Sequence, residues 1–486
     1  MAAGLVTVTA VSCGSSDPKR KAQWAEDGGE GGGGGEGAAQ LGRFGGTPEV
    51  VAGMGGVPDV TAGAGGEAGQ TEQGGAGGAP EPGCNEATCP DGVCLNDVCE
   101  LETVVSANLN LSTDALSEGR ACAEAIAYSV LALAGAMATL AEAPVGDCLA
   151  LGDEVLLINL QGTPTSYNNV GRWELLHVSS VDGADVTFTS AIKRLYGSGV
   201  SNAGLGITAA DQRVALIRVP RFGRLVIEEG VTVTAAAWNG VLGGVLPLRA
   251  AQLELAGTLN AASLGYRAGR WSEDDITCTD SIQTEAGESI AGTGTATTLR
   301  NLGASGGLGP GNASFNSNNA VLPTPGHSQP GEPGFNANGR AMGEVGAAYG
   351  SPDATTVTLG SGPGGALTCV VAPTDPTPYL IERATDQAGG IVLLLIEDLQ
   401  VEPPGLITAQ PPDQQRDIAF SGGYIFIRGS TLSLGTDQVT ALGSTGIRPN
   451  GPLSGQTNQA SPGYIVLSAS SVSGTTMPPA LTATAF

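Results

Sequence analysis

One short pattern recurs along the chain and constrains its fold more than any other feature. It is apolar-x-apolar, a short turn, then an apolar residue, Thr or Asn, and Ala. It occurs as Leu225-Val226-Ile227 with Val233-Thr234-Ala235, and as Leu253-Glu254-Leu255 with Leu259-Asn260-Ala261. It returns as Leu399-Gln400-Val401 with Ile407-Thr408-Ala409, and as Leu432-Ser433-Leu434 with Val439-Thr440-Ala441. Glycine-led strands precede three of these units: Gly244 to Leu248, Gly390 to Leu395 and Gly423 to Ile427. A fourth, Gly463 to Leu467, comes near the end. One such unit cannot cover its own apolar face, so units must stack and share a core. Short strands bent at Gly and Asn and stacked in parallel give a β-solenoid, with the terminal alanines at a narrow corner. The competing fold, a β-sandwich of hairpins, calls for closely spaced Asn-Gly or Asp-Gly turns.

Ahead of the repeats the strand signals are local. Val155-Leu156-Leu157-Ile158-Asn159-Leu160 is an apolar run of strand length. Trp173 to Val181, Asp182-Gly183 and the alternating Val186-Thr187-Phe188-Thr189 read as a hairpin. The Ala-rich stretch 121–141 is helical or two strands about Gly135, and the strands are favoured. The fold class is therefore all-β: a small antiparallel β-barrel or sandwich module at 101–204, then a parallel β-helix-like solenoid at 205–486. A Gly/Asn/Ser/Pro-rich insert, 265–388, interrupts the solenoid as a surface flap or a poorly ordered excursion.

The N-terminal sixth, residues 1–83, carries address rather than fold. Residues 1–13, MAAGLVTVTAVSC, combine a short apolar run with Ala10-Val11-Ser12-Cys13. The run is too short to span a bilayer and reads as a signal segment ending in a lipoprotein box, which makes Cys13 a lipid anchor. Residues 14–83, with Glu30 to Gly37 as EGGGGGEG, hold too few apolar side chains to offset their ordering entropy and read as a disordered glycine-rich tether. The expected location is the outer membrane or cell surface as a lipoprotein, or the extracellular space.

Apart from Cys13 there are eight cysteines, an even number in a chain read as exported, which argues for disulfides. Cys84, Cys89, Cys94 and Cys99 form a knuckle at 84–100. Three pairings are open there, and a tetrathiolate zinc site is the competing reading. Cys122 with Cys148, and Cys278 with Cys369, follow by elimination.

Charge and composition exclude several functions. Lys+Arg is 21 against 47 Asp+Glu, a formal net charge of −26. Phosphate affinity needs clustered cations, so nucleic acid is not an expected partner, and membrane contact runs only through the lipid. Two histidines leave little for acid–base or zinc chemistry. His177, beside Leu175, Leu176 and Val178, reads as a partly buried strand residue. Gly303 to Gly307 fits G-x-S-x-G, and Gly360 to Gly365 fits G-x-G-x-x-G. Neither has a strand–turn–helix setting, so both read as loops. No catalytic residue, metal ligand or cofactor site is assigned. Acids on the repeats (Glu228, Glu229, Glu254, Glu397, Asp398, Asp437) fall at different offsets. Glu273, Asp274, Asp275 and Glu285 of the insert are the remaining acids that could reach over the stack. Trp173, Trp238, Trp271 and Tyr266 are rings that could stack on a sugar or, in the plainer reading, pack the core and its corners.

The stretches GDEVLLINLQGT, VGRWELLHVSSVDGADVTFTSAIKRLYG and WNGVLGGVLPLRAAQLELAGTLNAASLGYRAG resemble modules of glycine-rich secreted surface proteins of bacteria, common in myxobacteria and some actinobacteria. The resemblance covers most of 152–469 and implies an exported, glycine-rich, β-rich protein without implying a reaction. A structural or adhesive surface protein is the favoured reading. A polysaccharide-binding or polysaccharide-degrading β-helix protein is the alternative, with extracellular polysaccharide or other surface proteins as partners.

Overall fold

The terminal alanines and the leading glycines of the repeats meet each other, and this contact winds the chain into a stack. Gly390 N–H donates to Ala261 O (2.8 Å), Gly423 to Ala409 O (2.9 Å) and Gly463 to Ala441 O (2.7 Å). Each unit thus ends against the first residue of the next. Space decides the residue types: Ala261, Ala409 and Ala441 are wholly buried. A Cβ on Gly423 would overlap the Gly390 carbonyl, and one on Gly463 the Gly423 carbonyl.

The computed structural model describes residues 92–95, 98–116, 120–269, 286–292, 320–321, 324–336, 341–342, 345–364, 387–413, 418–447 and 455–483. These belong to one unit, Gly78–Phe486. Among them there is no helix; the fold is all-β.

Among the described residues the solenoid has six rungs. The first is Val98–Val105 with Leu109–Asn110, the second Arg221–Ile227 with Thr232–Thr234, and the third Val245–Leu255 with Thr258–Asn260. The fourth is Ile391–Val401 with Leu406–Thr408, and the fifth Tyr424–Arg428 with Thr431–Thr440. The sixth is Tyr464–Ser468 with Ser471–Met477, and Leu481–Thr482 lies beside Tyr464–Ser468. Rung-to-rung pairing is parallel and keeps like residues in column. Leu225, Leu253, Leu399, Leu432 and Val472 form one core column. Val233, Leu259, Ile407 and Val439 form another. Stacking in register covers on neighbouring rungs the apolar area that no rung can cover alone.

The antiparallel module is a closed six-stranded barrel. Going round, its strands are Ala127–Ala134, Met137–Leu140, Asp185–Phe188, Trp173–Asp182, Glu154–Gln161 and Arg213–Arg218. Gly135 and Gly183 turn its two tight hairpins at φ near +59°, a conformation L-residues rarely adopt. The stretch 121–141 thus contains strands about Gly135, as its sequence suggests. Val155, Leu157, Val214 and Leu216 fill the barrel, while Leu156, Ile158, Ala215 and Ile217 belong to the solenoid core. Two buried faces explain why VLLINL is a continuous apolar run instead of an alternating one.

The module boundary at 204/205 differs from the structure. Residues 102–105 pair with Arg224–Ile227, so the first rung precedes the barrel, and the last barrel strand ends at Arg218. The barrel is an insertion between the first and second rungs. The insert 265–388 also differs from a surface flap in the parts described, because Tyr266, Tyr349, Val357 and Leu359 lie in the solenoid core cluster.

Candidate functional surfaces

Three faces run along the stack, and one of them is roofed. In the sheet of Ile391–Val401, Tyr424–Arg428 and Tyr464–Ser468, nearly every residue in the roofed half is buried on both sides. Barrel and insert cover it. The Trp173 ring lies 5.7 Å from that of Phe426, and its Nε1–H donates to Ala354 O (2.9 Å). Tyr424 donates its hydroxyl to Ser351 O (2.6 Å), and Tyr266 donates to Leu160 O. This face is unavailable to a partner.

Beneath the roof is a buried polar cluster centred on His327, a residue to which the sequence reading gave no role. Its imidazole is wholly buried. Nδ1–H donates to Gly422 O (2.7 Å), since a carbonyl can only accept, and Nε2 accepts from the Thr358 hydroxyl (2.9 Å). The ring stacks on Tyr349 at 4.7 Å and meets Tyr464 edge-on at 5.4 Å. Burial pushes its pKa down to about 4, so it is neutral at pH 7. The same burial pushes the Tyr349 hydroxyl well above the usual tyrosine range. That hydroxyl donates to Leu359 O (2.6 Å) and accepts from Ser361 (2.9 Å), while Ser421 Oγ accepts from Ser361 N–H (2.6 Å). Both imidazole nitrogens and these hydroxyls are partnered. The cluster pins the insert to the glycine edge of the stack and offers no group to a substrate.

Among the described residues the other two faces carry no second layer. On the first, one outward column reads Glu102, Arg224, Gln252, Asp398, Thr431, Ser471. Its neighbour reads Val104, Val226, Glu254, Gln400, Ser433, Ser473. Arg224 donates to Glu254 (2.7 Å) and to Glu102, making a three-residue ionic row at one end. Toward the sixth rung the face becomes purely hydroxylic. Asp398 faces Gln252 and Thr431, and Glu254 faces Gln400, so no two acids are register partners there. On the second face Asn110, Thr234, Asn260, Thr408 and Thr440 form one column, with rungs roughly 4.8 Å apart. Thr408 is buried and the other four are partly buried, and the column is largely bonded along itself: Thr440 Oγ1 donates to Thr408 Oγ1 (2.9 Å), Thr234 Oγ1 donates to Asn260 O (2.7 Å), and Asn110 and Asn260 Oδ1 accept from Ser112 and Ala262 N–H.

The rings proposed for sugar stacking are not on these faces. Trp238 and Tyr266 are wholly buried and Trp173 nearly so. Trp238 and Tyr266 pack edge-to-face at 5.9 Å inside the core. The core-packing reading of these three rings holds and the stacking one does not. Among the described aromatic side chains only Tyr167 is even half-exposed. His177 is exposed on the barrel, not partly buried, because it alternates with the inward Leu176 and Val178. Gly360 to Gly364 is an extended segment in which a Cβ on Gly362 would overlap the Arg267 carbonyl. Its glycines serve close packing.

The Cys122–Cys148 disulfide is formed, with Cα atoms 5.4 Å apart. Cys94 and Cys99 are backbone partners in the hairpin of Gly92–Leu95 and Val98–Val105. Cys13, Cys84, Cys89, Cys278 and Cys369 lie outside the described residues. So do Trp271, Glu273, Asp274, Asp275, Glu285 and the Gly303 to Gly307 motif. Among the described residues no group of His, Cys, Asp and Glu could hold a metal ion, and no helix is long and apolar enough to cross a membrane.

No protein-family model matches the chain, and no curated protein matches it. Three phage tailspikes are among the solved structures it matches. The tailspike protein gp49 from Pseudomonas phage LKA1 is 11% identical over 79% of this chain and 66% of its own, with a TM-score of 0.13. The tailspike gp61 of Pseudomonas phage phi297 is 12% identical over 78% and 62%, with a TM-score of 0.13. The Gp54 tailspike of Acinetobacter baumannii bacteriophage AP22, solved with A. baumannii capsular saccharide, is 8% identical over 79% and 52%, with a TM-score of 0.16. The chain thus spans between about half and two thirds of their lengths. TM-scores of this size do not establish a common fold.

Proposed function

We propose that this chain is an exported surface protein, tethered through a lipid on Cys13, whose solenoid serves as a structural or adhesive module. The observation that carries the reading is the make-up of the open faces. They present columns of Ser, Thr, Asn and Gln and an ionic row, while the described aromatic rings, Tyr167 apart, are packed inside. Such a surface suits a rigid, hydrated spacer. The −26 charge keeps it soluble and steers it from acidic polymers. A polysaccharide partner is the second reading, favoured by the Thr and Asn column, whose partly buried side chains, although bonded along the column, could still offer amide N–H groups and hydroxyl lone pairs to a neutral glycan.

Two measurements test these readings. Expressed with its natural N-terminus in a host with two membranes, the chain is expected to fractionate with membranes, and Cys13→Ser to release it. A soluble wild type with a free Cys13 thiol overturns the tether. Cosedimentation with neutral and acidic polysaccharides, with and without calcium, is expected to show no turnover. Cleavage of any of them overturns the structural reading, and saturable binding to a neutral one that Thr234→Lys abolishes replaces it with the second.

A further inference from the structure

Asn239 and Gly240 lie in the segment that leads from the second rung to the third, and the bonds around them converge on one reaction. Asn239 is exposed there, while the Trp238 ring before it is wholly buried. Its Oδ1 accepts from two backbone donors, Val241 N–H (2.8 Å) and Leu242 N–H (3.0 Å). Its own N–H donates to Leu242 O (3.0 Å). Among the described residues nothing bonds Asn239 Nδ2 or the Gly240 N–H.

Two guanidinium groups hold the same pair of residues. Arg267 Nη1–H donates to Asn239 O (3.0 Å), and Arg213 Nε–H to Gly240 O (3.0 Å). Arg267 is itself set by Glu288, which accepts from its Nε–H (2.9 Å) and its Nη2–H. Gly240 adopts φ +101°, and a Cβ there would run into Arg267 Nη2. Glycine thus lets the guanidinium lie against this peptide.

These bonds are the ones that attack of a backbone amide on a side-chain amide requires. The nucleophile is the Gly240 nitrogen, which must first lose its proton. The charge of that amide anion spreads onto Asn239 O, the atom to which Arg267 donates, and a hydrogen bond to the charged form favours it. The electrophile is Asn239 Cγ. In the tetrahedral intermediate the negative charge sits on Oδ1, which Val241 and Leu242 N–H already hold as an oxyanion hole would. The leaving nitrogen, Nδ2, is retained by no bond and belongs to an exposed side chain.

We propose that the folded chain deamidates itself at Asn239. The bond from Gly240 N to Cγ forms, the Cγ–Nδ2 bond breaks, and Nδ2 departs as ammonia with the proton that Gly240 lost, leaving a cyclic succinimide. Water then opens the ring, its hydroxyl going to one ring carbonyl and its proton to the ring nitrogen. Opening at Cγ gives aspartate, and opening at the main-chain carbonyl gives the isoaspartyl isomer. Solvent water is the one co-reactant, and the chain gains one negative charge at this turn. Arg267 and the two N–H donors are the catalytic groups.

Tryptic peptide 225–249 contains Asn239 and no other amide side chain, so its mass reports this conversion alone. In the full chain held at 37 °C and pH 8, Asn239 should convert at least about tenfold faster folded than in guanidinium chloride, since oxyanion donors in a fixed frame are worth that much or more. The rate should rise from pH 6 to pH 8, because the nucleophile is an amide anion. Arg267→Lys keeps a cation for Glu288 but loses the planar fork, and should slow conversion about tenfold while its melting shows the fold intact. A folded Arg267→Lys chain that converts at the wild-type rate overturns the proposal. So does a folded wild type whose Asn239 outlasts that of the denatured chain, since the turn would then lock the amide and protect it.

Discussion

The barrel and the solenoid bury apolar strands by opposite means. The barrel draws all six strands from one stretch, 127–218, and closes on itself, so it has no edge and its inner cluster is its own. The solenoid pairs strands across long gaps: Leu225 lies beside Thr103 with the whole barrel between them, and Leu399 beside Leu253 with the insert between them. Its core exists only as a stack, so each rung relies on its neighbours. The difference teaches that damage should stay local in the barrel and spread through the solenoid.

The largest effect is expected from Leu432→Asp. Leu432 is wholly buried between Leu399 and Val472. An unpaired carboxylate there should cost at least about 4 kcal/mol. By hydrogen exchange, the amides of Leu399 and Ile425 should lose protection, while those of Val130 and Val186 in the barrel keep theirs. If both regions open together, the barrel does not stand alone and the contrast fails.

The converse test is the Cys122–Cys148 disulfide, which ties the chain entering the barrel to the loop before Glu154–Gln161. It closes a loop with a sequence separation of 26. The chain-entropy model gives about 3.5 kcal/mol for such a loop. Replacing both cysteines by Ser should lower barrel stability by about that much and leave the protection of Leu399 and Leu432 unchanged. A loss shared equally by both regions would show that the link staples barrel to solenoid instead.

How much of this was legible follows from where the signals lie. The four complete repeats and their glycine-led strands were readable because Leu, Thr or Asn, and Ala recur at fixed places, and these became the columns. The first rung was missed, although Val104-Val105 and Leu109-Asn110-Leu111 carry the pattern in shortened form. A domain inserted after one rung leaves nothing adjacent for comparison. The rings of Trp173, Trp238 and Tyr266 could be read either way, as core or as sugar platform, because an aromatic residue carries no mark of inside or outside when a second layer roofs the sheet; the core reading holds. His327 had no signal at all, since Pro325-Gly326-His327-Ser328 is turn-like and its partners Thr358 and Gly422 are remote.

His327 sharpens the comparison within the solenoid, because it pins the insert to the stack. Its pKa is about 4 folded against 6.5 in the unfolded chain. On acidification the unfolded chain takes up the proton first. The stabilisation is therefore complete above pH 6.5, declines as pH falls and is gone below about 4, a total of about 3 kcal/mol. Chemical denaturation at intervals from pH 7.5 to 4 should show this slope. In His327→Gln it should vanish, with stability at pH 7 already lowered. An unchanged slope in the variant would assign the acid sensitivity to carboxylates elsewhere.

The smallest effect is expected on the open face, where stacking is regular but solvent competes. Arg224 bonds Glu254 and Glu102 with about a third of its side chain exposed. Exposed pairs of this kind contribute about 0.2–1 kcal/mol. Arg224→Gln should cost no more than about 1 kcal/mol, and a double-mutant cycle with Glu254→Gln should give a coupling near 0.5 kcal/mol that fades in 0.5 M salt. The core columns, not the ionic row, would then set the register of the rungs. A coupling above about 2 kcal/mol that survives high salt would reverse this ranking. The row would then be a clamp on the second and third rungs, and the solenoid would depend on its surface as well as its core.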